Sequence, residues 1–306
     1  MKVAEVGEGG LREYLAQPGL ALDFGAARAR IRTDLPALAA ALGSVYSNFD
    51  VEPAEGFFDV TASVRRARGL RRVLRPQIQF VADGALPFEP FPAATHLPFL
   101  EWGLNWSIAE RCNQHLLLHA GVVALGDAAV VLPALPGSGK STLTAALAVS
   151  GFRLLSDEFG VVRLADSLLL PMVRPVALKN ASIGVLRALA PAATIGPVFA
   201  GTRKGDVAHL APDAASFASR HAPARARLVV FPRYATGSAT RLEPLARSRA
   251  FAKLSANSFN YEVLGADAFD AVARLIEACD CYRLEYSRLP EAIAEVERLA
   301  RRAPSA

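Results

Sequence analysis

The sequence predicts an α/β fold built on a mixed sheet and preceded by a small α+β unit. Three observations carry this. From Leu116 onward, short β-branched and apolar runs interleave with helical patterns. Those runs are too frequent for a purely alternating doubly wound sheet, so antiparallel pairs are expected among the parallel ones. Before that change of rhythm, Pro87, Pro90 and Pro92 punctuate the chain. The expected division is therefore residues 1–92 and 93–306. The length of 306 residues suits about two domains. With 52% apolar and 21% charged residues, the chain can bury a large core, which excludes a disordered or low-complexity protein.

In chain order, residues 1–15 read as a loosely docked terminus. Leu20 to Arg32 alternates in patches and predicts one or two strands. Leu35 to Phe49 is helical in composition, with Pro36 suited to a first turn. Phe57 to Val64 and Pro76 to Ala82 read as strands, the second followed by an Asp83-Gly84 turn. Thr95 to Cys112 predicts a helix whose Trp102 and Trp106, one turn apart, are expected to pack in a core. Strands are then expected over 116–125, 128–132, 153–156, 160–164, 173–178, 207–210, 228–232 and 282–286. Helices are expected over 141–149, 180–190, 213–220, 245–256, 267–279 and 289–302.

The net charge is +5, most of it from arginine. The densest basic run is Arg65, Arg66, Arg68, Arg71, Arg72 and Arg75. It reads as a solvated loop between two strands, or as a patch for nucleic acid or an acidic partner. No aromatic residue interleaves with these arginines, which argues against single-stranded nucleic acid. Cys112, Cys279 and Cys281 are too few, and odd in number, for a disulfide framework; they are expected to be reduced structural thiols. No charged segment followed by an apolar run opens the chain, and no stretch approaches the ~20 apolar residues of a membrane helix. A cytoplasmic protein without membrane or nucleic-acid partners is expected.

The chemistry concentrates at Ala134-Leu135-Pro136-Gly137-Ser138-Gly139-Lys140-Ser141-Thr142. Val130-Val131-Leu132 before it is a strand, and a helix opens at Lys140-Ser141. Strand, glycine loop, Lys-Ser and helix together form the P-loop (Walker A) pattern of nucleoside triphosphate binding. Gly137 and Gly139 let backbone N–H groups curl around phosphate oxygens. The helix presents its positive end to the anion. Lys140 is placed for the β- and γ-phosphates and the Ser141 hydroxyl for Mg²⁺. Pro136, Gly137, Ser138, Gly139, Lys140, Ser141 and Thr142 are thus the expected ATP-binding set. Ala134 stands where the pattern has its first glycine, a mild departure.

The second acidic group follows from lengths. Helix 141–149 rises about 14 Å. Gly151 can end it, and residues 152–156 return about 16 Å as a strand. The two nearly cancel, so Asp157 and Glu158 should come back to the level of the glycine loop. There one carboxylate could hold Mg²⁺ and the other accept a hydroxyl proton. His119, one strand earlier, becomes a candidate neighbour of Asp157 or a satisfied structural residue; spacing alone leaves both open.

At this point the residues resemble a family, the HPr kinase-like proteins, and within it the subgroup called HPr kinase-related kinase A. The resemblance is carried by Leu118-His119-Ala120-Gly121-Val122-Val123, by Leu135 to Leu143, by Leu154-Leu155-Ser156-Asp157-Glu158, and by Arg174-Pro175-Val176-Ala177-Leu178-Lys179-Asn180. It covers roughly residues 95–300, and the short interval between Lys140 and Asp157 is its most specific feature. It implies a P-loop kinase domain of the type shared with phosphoenolpyruvate carboxykinase, using ATP and Mg²⁺ to phosphorylate a Ser. Carried over by position, Asp157 is the base, Lys140 and His119 complete the catalytic set, and Glu158 with Ser141 holds the metal. The chain has His119-Ala120-Gly121 where HPr kinases have His-Gly, Asp157-Glu158 where they have Asp-Asp, and no clear match to the segment that helps contact HPr. The acceptor implied is accordingly a peptide or small protein, of the kind found with peptide-modification gene clusters, rather than HPr itself.

Two alternatives remain at this stage: a kinase for a small metabolite such as free serine, and a non-catalytic nucleotide-sensing module. The N-terminal region is left with two roles, substrate recognition or formation of a homo-oligomer. Lys179-Asn180, Arg203-Lys204-Gly205, Arg241, Arg247, Arg249 and Lys253 are further candidates for phosphate or substrate contact. The polar segment Asn257-Ser258-Phe259-Asn260 is a candidate to cap or line a site.

Overall fold

The computed structural model describes residues 1–52, 54–69, 75–135 and 137–302. It is mixed α/β with mixed sheets, as the strand frequency predicts. Its contacts gather into two compact units: Met1–Cys112 with Ala177–Phe217, and Asn113–Val176 with Ala218–Ala306. This grouping differs from a boundary after Pro92. The helix that follows those prolines stays with the N-terminal residues, and a later excursion of the chain joins them.

The first unit opens with α1 (Val3–Ala16), kinked at Gly7, where φ is 72°. The loosely docked terminus expected there is corrected: Val3, Leu11 and Leu15 are buried. Three glycines in this stretch mask a helical periodicity that only packing reveals. β1 (Leu20–Asp23) pairs antiparallel with β2 (Arg28–Thr33), and α2 (Pro36–Val45) crosses over to β3 (Val60–Arg66), which lies parallel to β2. β4 (Gln77–Ala82) and β5 (Phe91–Pro92) complete a five-stranded antiparallel-edged sheet in the order β1-β2-β3-β4-β5. Arg65 and Arg66 end β3 instead of lying in a loop, and Arg71 and Arg72 fall outside the described residues. α3 (His96–Arg111) packs on β3 and β4, with the missing side chain of Gly103 making room for the Phe80 ring. Trp102 corrects the expectation of a core residue. It is partly exposed and stacks on Phe88 at 4.2 Å.

The second unit begins with β6 (His115–Leu125), β7 (Ala128–Pro133), α4 (Lys140–Val149), β8 (Arg153–Ser156), β9 (Phe159–Arg163) and β10 (Leu169–Leu170). The chain then returns to the first unit through β11 (Val176–Lys179), α5 (Ala181–Leu189), β12 (Phe199–Thr202), β13 (Gly205–Leu210) and α6 (Ala214–Ala218). Phe217 meets Phe49 at 4.4 Å, and the Asn48 side chain donates to the Pro212 carbonyl, which binds this excursion to the N-terminal half. β14 (Arg225–Tyr234), β15 (Arg241–Pro244), α7 (Arg247–Ala256), α8 (Tyr261–Leu264), α9 (Ala266–Glu277), β16 (Asp280–Tyr286) and α10 (Leu289–Arg302) finish the second unit.

The large sheet runs β10-β9-β6-β7-β14-β16-β15, with β8 also paired to β6. β7, β14 and β16 are parallel neighbours; the other pairs are antiparallel. One face carries α4 and α10 and the other α7 and α9. Along β6 the residues alternate as a strand covered on both faces requires. Leu116, Leu118, Ala120 and Val122 join the core under α7 and α9. Gly121 points to α4, where an added Cβ would stand 2.1 Å from Thr144 Oγ1. Cys112, Cys279 and Cys281 are buried and unbridged, as expected for structural thiols. No helix among the described residues is long and apolar enough to cross a membrane.

Candidate functional site

The parallel strands β7 and β14 and their neighbour β16 end together, and their carboxyl ends hold the glycine loop. The chain leaves β7 at Pro133 and enters α4 at Lys140, after Gly137 (φ 85°) and Gly139 (φ 87°). Both values lie in the left-handed region that glycine adopts without a steric cost. Pro136, expected among the ATP-binding residues, lies outside the described residues. The loop is braced from below. The Tyr234 N–H donates to the Ser138 carbonyl at 2.8 Å, and the Tyr286 hydroxyl donates to the Gly139 carbonyl at 3.3 Å. A Cβ on Gly139 would stand 2.6 Å from that hydroxyl. The Tyr286 phenol is pushed well above its usual pKa by burial, with Tyr234 adding to the effect, so it stays a neutral donor. Ser138 Oγ is enclosed and has no hydrogen-bond partner among the described residues. Neither tyrosine is signalled by a local motif. They are distant in sequence and join the loop only through strand pairing.

Lys140 begins α4 and is 7% exposed. Its Nζ donates to the backbone carbonyl of Asp157 and stands 3.8 Å from Asp157 Oδ1 and 4.0 Å from Glu158 Oε2. The rise of α4 and the return of β8 do nearly cancel. Asp157 and Glu158 form the connection from β8 to β9, both of which pair with β6. The Phe159 N–H donates to Ser156 Oγ at 3.1 Å and closes this connection. Asp157 is 6% exposed, whereas the Glu158 side chain is more than a third exposed. Ser141 and Thr142 follow on the first turn of α4, both half-buried.

His119 lies opposite Phe159 in the β6–β9 ladder. Its Nε2 stands 3.6 Å from Glu158 Oε1, so its carboxylate neighbour within ion-pair distance is Glu158 and not Asp157. Burial pushes the imidazole pKa below its ordinary value. The Lys140 charge pushes the same way, against the opposing influence of Glu158, Asp157 and a hydrogen bond with Asn257. Asn257 also brackets His119 through the backbone. It accepts from the His119 N–H and donates its side-chain amide to the His119 carbonyl, both at 2.8 Å. The segment 257–260 thus runs beside β6 where β7 has ended. Phe259 packs on the His119 ring at 5.4 Å, and buried Asn260 accepts from Leu117 N–H while donating to the carbonyl of His115 and to Asn113 Oδ1. Its polarity amid apolar neighbours is thereby explained.

The remaining candidates divide between the two units. Asn180 accepts from the Asp206 N–H and fills the space left by Gly205, so its side chain serves a turn of the first unit. Arg203 lies over the Phe91 ring at 5.0 Å in the β12–β13 hairpin. Lys179 and Lys204 belong to the same unit. Arg241, Arg247, Arg249 and Lys253 make no ion pair with Asp157 or Glu158 among the described residues; Lys253 lies over Phe231. Arg174 is buried in the second unit.

Chemically, the arrangement couples an anion-accepting concavity of backbone N–H groups at a helix N-terminus with a buried ammonium and two carboxylates. Phosphate oxygens fit the loop, the ammonium and the orphaned Ser138 hydroxyl. Ser141 and Glu158 carry hard oxygen donors of the kind that a divalent cation takes. Comparison with protein-family models and with curated proteins finds no match to this chain.

Proposed function

We propose that the chain is an ATP- and Mg²⁺-dependent phosphotransferase, with a P-loop kinase domain of HPr kinase type in its second unit and a hydroxyl as acceptor. The expected acceptor is a Ser of a peptide or small protein. The observation that supports this most is the placement of the Lys140 ammonium at the head of the glycine loop, within 4.0 Å of both Asp157 and Glu158. A loop alone argues only for phosphate binding. An acid pair at the same point, buried Asp157 beside more exposed Glu158, supplies what transfer to a hydroxyl requires.

In this reading the N–H groups of residues 137–141 and the Lys140 ammonium bind the phosphates. The ammonium exchanges its contact with the Asp157 carbonyl for phosphate oxygens. Asp157 takes the proton of the acceptor hydroxyl as the hydroxyl oxygen bonds to the γ-phosphorus and the bond from that phosphorus to the β-phosphate oxygen breaks, with ADP leaving. His119, largely neutral at pH 7, holds Glu158 in place, and Asn257 holds His119. Mg²⁺, held by Ser141 and Glu158, would neutralise charge on the phosphates. Among the described residues no cluster of three or more His, Cys, Asp or Glu is disposed to hold a metal unaided, so its retention would rely on nucleotide and water oxygens. Incubation with γ-labelled ATP and the peptides or proteins encoded by neighbouring genes tests the reading. Label on a Ser supports it. Hydrolysis with no labelled acceptor of any kind contradicts it.

A further inference from the structure

The five-stranded sheet of the first unit has its helices on one face, against Ala29, Ile31, Val60, Ala62, Val64, Ile78 and Phe80. Its other face carries a row of guanidinium groups. Arg28, Arg30 and Arg32 alternate along β2, with Ala29, Ile31 and Thr33 turned inward. Strand pairing sets Thr61 beside Arg30 and Ser63 beside Arg32, and Arg65 follows two residues on, opposite Gln79. Arg66, Arg68 and Arg75 are exposed at the same end.

These side chains are anchored without being neutralised. Arg28 and Arg30 lie on the Phe58 ring at 5.0 and 5.1 Å. Arg28 also donates to the Phe57 carbonyl, and Arg32 donates from Nε to the Pro18 carbonyl. Gly19 leaves room for the stems of Arg30 and Arg32, whose Cγ atoms would each stand 3.0 Å from an added Cβ. The acids nearby lie at the Arg28 end and along the β1 margin: Asp23 pairs with Arg28 across the ladder, the Asp59 carboxylate accepts from the Arg28 backbone N–H at 2.8 Å, and Glu52 bridges to Ala21. Among the described residues, however, no carboxylate comes within ion-pair distance of Arg28, Arg30, Arg32, Arg65, Arg66 or Arg68. Holding like charges side by side costs free energy that an anionic partner would recover.

We propose that this sheet face binds an acidic segment of a partner polypeptide. Alternate residues on a strand stand about 6.8 Å apart, so the Arg28–Arg30–Arg32 row matches acidic side chains on alternate residues of an extended peptide. Each planar guanidinium can take a carboxylate on two N–H groups. Thr61, Ser63 and Gln79 offer hydrogen bonds between the charges. Single-stranded nucleic acid is the poorer fit, because Phe58 is covered by Arg28 and Arg30 and the exposed ring of Phe57 lies only at the Arg28 end, so no series of open rings runs along the row to stack successive bases. The proposal stands independently of phosphoryl transfer.

The test is fluorescence anisotropy with the full chain and a labelled peptide alternating Glu with Ser, against its Gln-Ser counterpart and a labelled single-stranded oligonucleotide. The acidic peptide should bind, the Gln-Ser peptide should not, and binding should weaken as salt rises. The pair Arg30→Gln with Arg32→Gln should weaken it by about tenfold, the size expected for two exposed charge pairs. Arg298→Gln with Arg301→Gln on α10 should leave it unchanged. Because a folding defect could imitate the loss, Arg30→Lys with Arg32→Lys is measured too, and should give an intermediate affinity with an unchanged thermal midpoint. No binding of the acidic peptide, equal loss in the α10 pair, or tighter binding of the oligonucleotide would overturn the proposal.

Discussion

Gly121→Ala is the sharpest test of how the strand β6 and the helix α4 set the site. The new methyl would stand 2.1 Å from Thr144 Oγ1 and 3.2 Å from both Thr144 Cβ and Cγ2. An unstrained contact needs roughly 3.5 Å, so strand and helix must separate by about 1.4 Å, or Thr144 must turn. Turning is no escape, since Thr144 is β-branched and fully buried, and its hydroxyl is committed to the Lys140 carbonyl at 3.0 Å. Overpacking of this kind costs about 1–3 kcal/mol, and losing the hydroxyl's hydrogen bond adds about 1 kcal/mol. We therefore expect a loss of about 2–4 kcal/mol in urea unfolding, with weakened ATP binding, because the displaced turn carries Lys140 and Ser141. Thr144→Ala removes the 2.1 Å contact, so the double variant should be more stable than the sum of the single losses by at least ~1 kcal/mol. Additive losses, or a Gly121→Ala protein within ~0.5 kcal/mol of wild type, would refute the packing account.

Gly139→Ala should abolish ATP binding, because it would strain one of the loop's two left-handed positions and drive a methyl against Tyr286; calorimetric titration reads this directly. Asn260→Ala strands the Leu117 N–H and the His115 carbonyl in the interior and should cost about 2–4 kcal/mol in chemical unfolding. His119 and His96 both have lowered pKa values, each chiefly through burial. The unfolded chain then binds more protons just below pH ~6.5, so stability should fall as pH drops through that value, and His119→Gln should flatten the slope. In NMR titrations Lys140→Met should raise the His119 pKa and Glu158→Gln should lower it; the opposite order would contradict the geometry of the site.

Much of the second unit was legible because its signals are local. The lengths of α4 and β8 bring Asp157-Glu158 back to Lys140 by arithmetic that requires no tertiary information. The same holds for strands such as 128–132, where apolar and β-branched residues, Val130 and Val131 among them, lie between the Gly126-Asp127 turn and the glycine loop. What was not legible depends on contacts distant in sequence. The helix α1 is obscured by Gly7, Gly9 and Gly10 and is stabilised by burial of Val3, Leu11 and Leu15. The edge strand β15, Arg241–Pro244, is short and largely exposed, so no apolar alternation announces it. The bracing of the loop by Tyr234 and Tyr286, and of His119 by Asn257, arises where strands from remote segments meet. His119 itself shows the limit of spacing arguments. Its strand position places it among the acids, but register decides that it faces Glu158.

The central claim is that the loop and the acid pair are one catalytic unit, with Lys140 binding and Asp157 taking the proton. The most direct measurement combines ATP affinity by calorimetry with phosphoryl transfer from γ-labelled ATP in the wild type, Lys140→Met and Asp157→Asn. Lys140→Met should weaken ATP binding by roughly 10–100-fold, as loss of a charge-assisted contact predicts. Asp157→Asn should keep ATP binding within a few fold while transfer falls by about 10²–10⁴. Undiminished transfer by Asp157→Asn, or undiminished ATP affinity in Lys140→Met, would contradict the account.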